Sequence, residues 1–200
     1  MDKKSIKTLI ERVLKELIRR DIGLIHRKVR EECINHRLAC YLEQFLSEYK
    51  CRKYSVDLEY NKNYNDPKRI QIDDKNTKAI RPDIIIHDRE NNDNNLIAFE
   101  IKKNYTERTL KHDSKKIRGL FRSPYNYKYG CLIFYLPEKS TSKSNYSLTK
   151  AMRRNSGSIK INKTVSAHNS GHTATFCFAQ IRQSRTSHVR RTLSEIVDFG

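Results

Sequence analysis

Residues 81–103, RPDIIIHDRENNDNNLIAFEIKK, hold two short apolar runs, Ile84 to Ile86 and Leu96 to Ile101, on either side of a polar stretch from Arg89 to Asn95. Runs of this length bounded by turn residues predict a β-hairpin. With the hairpin centred between Asn91 and Asn92, Asp83 stands opposite Glu100, and directly opposed residues point to the same face. Side chains alternate along a strand, so Lys102 joins that face while Phe99 and Ile101 take the other. One sheet surface is thus expected to gather Asp83, Glu100 and Lys102. Two carboxylates so close repel unless positive charge lies between them, and a divalent cation with hard oxygen ligands meets that need. The alternative is a structural hairpin in which Lys102 neutralises Glu100 or Asp83. That alternative leaves unexplained why ions sit inside two strongly apolar strands.

The spacing Pro82-Asp83, sixteen residues, Glu100-Ile101-Lys102 resembles the PD-(D/E)xK motif of the restriction-endonuclease-like nuclease superfamily. The resemblance implies an α/β/α core with a central mixed sheet, and a site that cuts DNA with magnesium or manganese. By that likeness Asp83, Glu100 and the main-chain carbonyl of Ile101 hold the ion, and Lys102 positions or helps deprotonate the attacking water.

Helical patterning precedes the hairpin. Ile6, Leu9, Ile10, Val13, Leu14, Leu17 and Ile18 recur at helical spacing over residues 3–20, and Asp21-Ile22-Gly23 supplies a stop. That helix has two ways to cover its apolar stripe, its own core or a second copy, so a homodimer stays open. A second helix is expected over residues 28–49, with Ile34, Leu38, Tyr41, Leu42, Phe45 and Leu46 inward. At 100° per residue Glu31 lies within about 20° of Leu38 and Leu42, on the core side, whereas Glu32 looks to solvent. Glu31 is therefore either a further carboxylate of the site or simply an acid favoured by the helix N-terminus. Residues 54–61 then suit a first strand with Val56, Leu58 and Tyr60 on one face. Asp57 and Glu59 share the other face, from which Glu59 could approach a metal on the neighbouring strand, although acids on the exposed face of a first strand are common. Residues 61–79 read as a polar surface excursion with a short strand from Arg69 to Ile72.

The stretches REECINHRLACYLEQFL, VDLEYNKN, PDIIIHDRENNDNNLIAFEIKK and YKYGCLIFYL together are similar to a small bacterial and phage-type group within that superfamily. The likeness covers about residues 5–136 and places Glu31 ahead of Asn35-His36-Arg37-Leu38-Ala39, in agreement with the helical wheel. It implies the fold and not a defined substrate.

After the hairpin, residues 105–121 suit a helix with Leu110, Ile117, Leu120 and Phe121 inward. Lys111, Lys115, Lys116, Arg118 and Arg122 are expected mostly outward, where Lys116, Lys111 and the neighbouring Lys103 are placed to meet phosphates. Residues 127–136 form a further buried strand. The candidate catalytic set is therefore Asp83, Glu100, Lys102 and Glu31, with Lys103, Lys116 and Lys111 as candidate nucleic-acid contacts.

Charge supports a polyanionic partner, with DNA favoured. The net charge is +18 and the pI near 9.8, and clustered Lys and Arg gain affinity by displacing counterions from phosphates. Only two of the acidic residues lie beyond residue 138. From that point Ser and Thr abound and helical periodicity is lost, apart from the short apolar run Ala174 to Ile181. Residues 1–138 are read as the nuclease-like domain, and 139–200 as an irregular basic extension, either a disordered arm or a segment introduced by frameshift or fusion. Five scattered cysteines without a CxxC pair argue against a disulfide frame or zinc site, and His168, His172 and Cys177 lack zinc-ligand spacing. With neither an eighteen-residue apolar span nor a signal-peptide core, a soluble cytoplasmic protein without a membrane association is expected. The rival to a DNA-cutting enzyme is a catalytically silent nucleic-acid-binding module of a defence or repair assembly.

Overall fold

The computed structural model describes residues 1–49, 53–71, 75–103, 106–136, 157–169 and 172–183, with the last two segments and Leu136 described as backbone. Helix α1 spans Lys3–His26 and α2 spans Glu31–Ser47. Strand β1 is Ser55–Leu58; β2 (Lys62–Asn63) pairs with β3 (Asp66–Pro67), and β4 (Arg69–Gln71) with β5 (Thr77–Ala79). Then come β6 (Ile84–His87), β7 (Ile97–Lys102), α3 (Glu107–Leu120) and β8 (Tyr129–Leu136).

The sheet is mixed, as expected for an α/β protein. In space its strands run β1-β6-β7-β8, with β1 antiparallel to β6, β6 antiparallel to β7, and β7 parallel to β8. Ile84 pairs with Phe99 and Ile86 with Ile97, the register that puts Asp83 across from Glu100. The parallel step from β7 to β8 needs a crossover, and α3 supplies it.

Alternation divides the sheet into two faces. Ile84, Ile86, Ile97, Phe99, Ile101, Cys131, Ile133 and Tyr135 pack with the stripes of α1 and α2. Ile85, Ala98, Leu132 and Phe134 lie toward α3 and the loop from Tyr125 to Tyr127. Ile6, Leu9, Ile10, Val13, Leu14 and Leu17 are all buried, as their spacing predicts, and Ile18 is partly so.

Several boundaries differ from expectation. Gly23 does not end α1, which runs on for three residues to His26; Ile25 is buried, so the extra turn adds to the apolar contact. The reversal comes at Lys28, whose φ of 54° takes the left-handed conformation usually left to glycine. Strand β1 stops at Leu58, where Glu59 follows with a φ of 52°; Leu58, at the strand's end, is exposed and Tyr60 lies beyond it, so the buried face begun by Val56 is not continued. The 61–79 excursion carries the expected short strand as β4, paired with β5 in one small hairpin, and holds a second hairpin of β2 and β3.

The backbone also continues the sheet past β8. Strand β10 (His172–Gln183) pairs parallel with β8 and antiparallel with β9 (Gly157–Asn169). The extension expected to be irregular therefore carries strands in these two segments. The stretch Thr173-Ala174-Thr175-Phe176-Cys177-Phe178 has the β-branched and aromatic content that suits strands, and the absence of a helical stripe is equally a property of strand sequence. The rest of 139–200, and the side chains of His168, His172 and Cys177, lie outside the described residues. Among the described residues Cys33, Cys40 and Cys131 are in no disulfide. Among the described residues no helix is long and apolar enough to cross a membrane.

Candidate active site

At the end of the hairpin away from its turn, β6 begins one residue after Asp83 while β7 runs on to Lys102. Asp83 fills the gap. Its Oδ2 accepts the Ile101 N–H at 2.6 Å, so a carboxylate takes the place of a backbone ladder partner. The N–H and C=O of a strand residue point to the same side, so the Ile101 carbonyl faces the Asp83 side too.

Lys102 stands between two acids. Its Nζ lies 3.4 Å from Asp83 Oδ2 and 3.6 Å from Glu31 Oε2. Burial alone pulls the Lys102 ammonium down, but the Asp83, Glu100 and Glu31 carboxylates outweigh it and raise the group above the ordinary lysine value. Lys102 is therefore a firmly charged donor.

Glu31 reaches the site from the opposite face, at the first turn of α2. Its Oε1 accepts the Lys103 N–H at 2.8 Å, which clasps the end of β7 to the helix. Both readings of this residue keep support: it sits at a helix N-terminus, and its other oxygen faces Lys102.

Glu100 is 1% exposed. Burial pushes its carboxyl up to about 8, and the neighbouring Asp83 charge adds to the rise while Lys116 opposes it. Lys116 Nζ straddles the carboxylate, 2.6 Å from Oε1 and 2.7 Å from Oε2, and only the Oε2 contact has hydrogen-bond geometry.

That contact corrects the expected direction of Lys116. The helical pattern sets it outward, yet it turns in to Glu100, because a buried carboxylate without a counter-charge is costly. Lys103 is also engaged: its Nζ donates to the carbonyls of Lys28 and Val29, at 2.8 and 3.5 Å, and so ties down the α1–α2 turn. Of the three lysines expected at phosphates, Lys111 alone has an exposed side chain, in an i,i+4 pair with Glu107. Glu59 turns its carboxylate to Arg81 rather than to the site, although its N–H donates to the Asp83 carbonyl at 3.1 Å.

One residue of this neighbourhood escaped the sequence reading. Asp113 on α3 is 3% exposed, and its charge acts on both Glu100 and Lys102. The signal was present: Leu110, Asp113, Ile117 and Leu120 follow helical spacing, so an acid stands in an apolar stripe.

Carboxylate and carbonyl oxygens suit a hard divalent cation, and Glu100 Oε1 and Asp113 Oδ2 are buried oxygens with no hydrogen-bond partner among the described residues. The donor chemistry of Asp83, Glu100 and Ile101 thus fits magnesium or manganese. As arranged, however, no group of three or more His, Cys, Asp or Glu among the described residues is gathered to hold an ion. Asp83 is drawn to Ile101 N–H and Lys102, Glu31 to Lys103 N–H, and Glu100 to Lys116.

No protein-family model, curated protein or solved structure matches the chain.

Proposed function

We propose that this chain is a metal-dependent nuclease of the PD-(D/E)xK type that hydrolyses DNA phosphodiester bonds. The observation that carries the reading is charge. The Asp83 charge bears on both Lys102 and the buried Glu100, whose carboxyl it helps to raise, and Glu31 faces the same ammonium; carboxylates gathered so closely at one strand end favour a divalent cation between them.

Asp83, Glu100 and the Ile101 carbonyl would hold magnesium or manganese, with Glu31 beside them. When bound, such an ion polarises the scissile phosphate and lowers the pKa of a water. Lys102, kept charged by its neighbours, offers N–H donors to orient the attacking water and steady the charge that develops on the phosphate. Glu31 fixes the strand end that carries Lys102. The exposed Lys111, together with the general basicity of the chain, attracts the nucleic-acid backbone.

One observation favours a second reading, a nucleic-acid-binding module that does not cut: Lys116 already occupies Glu100. The two readings separate in an assay of plasmid and single-stranded DNA cleavage with Mg2+ or Mn2+. We expect Asp83→Ala to abolish cleavage and Lys102→Ala to lower its rate at least about a hundredfold, with both variants folded. A folded wild-type protein that binds DNA and leaves it intact supports the second reading instead.

A further inference from the structure

Asp113 has no role in the mechanism above. Its Oδ1 lies 3.0 Å from His112 Nδ1, while Oδ2 is buried with no hydrogen-bond partner among the described residues. An unpartnered carboxylate oxygen in an interior is expensive, so its presence calls for a partner that arrives in another state of the site. Lys116 is three residues on. Residues so spaced on a helix are neighbours, with Cβ atoms roughly 5–6 Å apart, and the long flexible stem of a lysine can swing between nearby acceptors. In this structure Lys116 is on Glu100.

We propose that Asp113 is a positioning residue of the site, the second seat of the Lys116 ammonium, taken when a divalent cation claims Glu100. The proposal rests on the metal-dependent reading. Lys116 and the cation compete for one carboxylate, and Asp113 decides how easily Lys116 yields. The exchange keeps the interior compensated, because the cation neutralises Glu100 as the ammonium neutralises Asp113. It also accounts for two facts at once, the inward Lys116 and the unpartnered Asp113 oxygen.

The test is Mn2+ binding by the full chain without nucleic acid, read from the paramagnetic resonance signal of free Mn2+. Thermal unfolding of each variant without metal checks that it is folded. Lys116→Met removes the competitor and tightens binding. Asp113→Asn removes the second seat and weakens binding about tenfold, the scale of outer-shell changes at metal sites. In the double variant the loss disappears, since no ammonium needs seating.

Single variants that shift affinity in the same direction overturn the proposal, as does an Asp113→Asn loss that persists with Met at 116. Should Asp113→Asn not fold, Lys116→Met and Lys116→Arg carry the test: Met tightens and Arg does not, and equal affinities overturn it. Mn2+ uptake abolished by Glu100→Gln but unchanged by Lys116→Met sinks this proposal alone. No uptake by the wild-type chain sinks the metal-dependent reading with it.

Discussion

Lys68 is a lysine with no acid at salt-bridge distance among the described residues, and it is 2% exposed. Its ammonium lies 5.0–5.5 Å from the ring centroids of Tyr60, Tyr125 and Tyr127, and 3.4 Å from the Tyr127 hydroxyl. The rings favour the charge, but burial pulls the group down to about 8 from the usual 10.5. Below about 8 both the folded and the unfolded chain carry the proton, and the fold bears the whole penalty. Between 8 and 10.5 the folded state has released it and the unfolded state has not, so stability rises with pH. We expect Lys68→Met to be more stable than wild type by about 1–2 kcal/mol at pH 7. The gap should narrow as pH climbs from 8 toward 10.5 in urea unfolding, and a constant gap would refute the account. Nothing in the sequence around Lys68 pointed to this enclosure, because its three rings come from two separate segments. Asp83 and Glu100 were legible for the opposite reason: a hairpin brings its own members together, so register follows from the turn.

At the scale of elements, α3 lies very close to the sheet. A Cβ on Gly130 of β8 meets Ile117 Cγ2 at 2.2 Å, and one on Gly119 of α3 meets Ile70 at 2.6 Å. These contacts are side chain against backbone in the middle of packed layers, where little can give. Gly130→Ala should therefore destabilise the protein by about 1–3 kcal/mol, visible as a lower urea midpoint with an unchanged slope. The short distance also explains why Lys116 reaches Glu100. The helix itself could be read from its spacing, and so could the side that Leu110, Ile117 and Leu120 take. The direction of Lys116 could not, since a lysine at the margin of an apolar stripe turns in or out according to what the sheet beneath presents. That information resides in Glu100, in a different element.

For the molecule as a whole, the excess of basic residues makes a prediction independent of cleavage. DNA affinity should fall steeply and log-linearly with salt, by about tenfold or more between 50 and 200 mM, if several lysines and arginines displace counterions; a flat salt dependence would remove the electrostatic argument for a nucleic-acid partner. The α/β architecture, the hairpin register and the crossover helix were all readable, because each follows from local periodicity. The strands beyond residue 138 were not: β9 and β10 are neighbours along the chain, with His172 beside Asn169, but their place in the sheet comes from the parallel pairing of β10 with β8, which joins segments far apart in sequence.

The sheet ends at β1 in a strand of four residues. Asp57 on it accepts from His87 Nε2 at 2.7 Å and from Arg89 at 2.6 and 2.9 Å, and Glu59 bends the chain away immediately afterwards. A border so short, charged and sharply terminated offers little unpaired backbone to a neighbouring molecule. At this margin the protein is guarded against the strand-to-strand stacking that draws β-rich chains into aggregates.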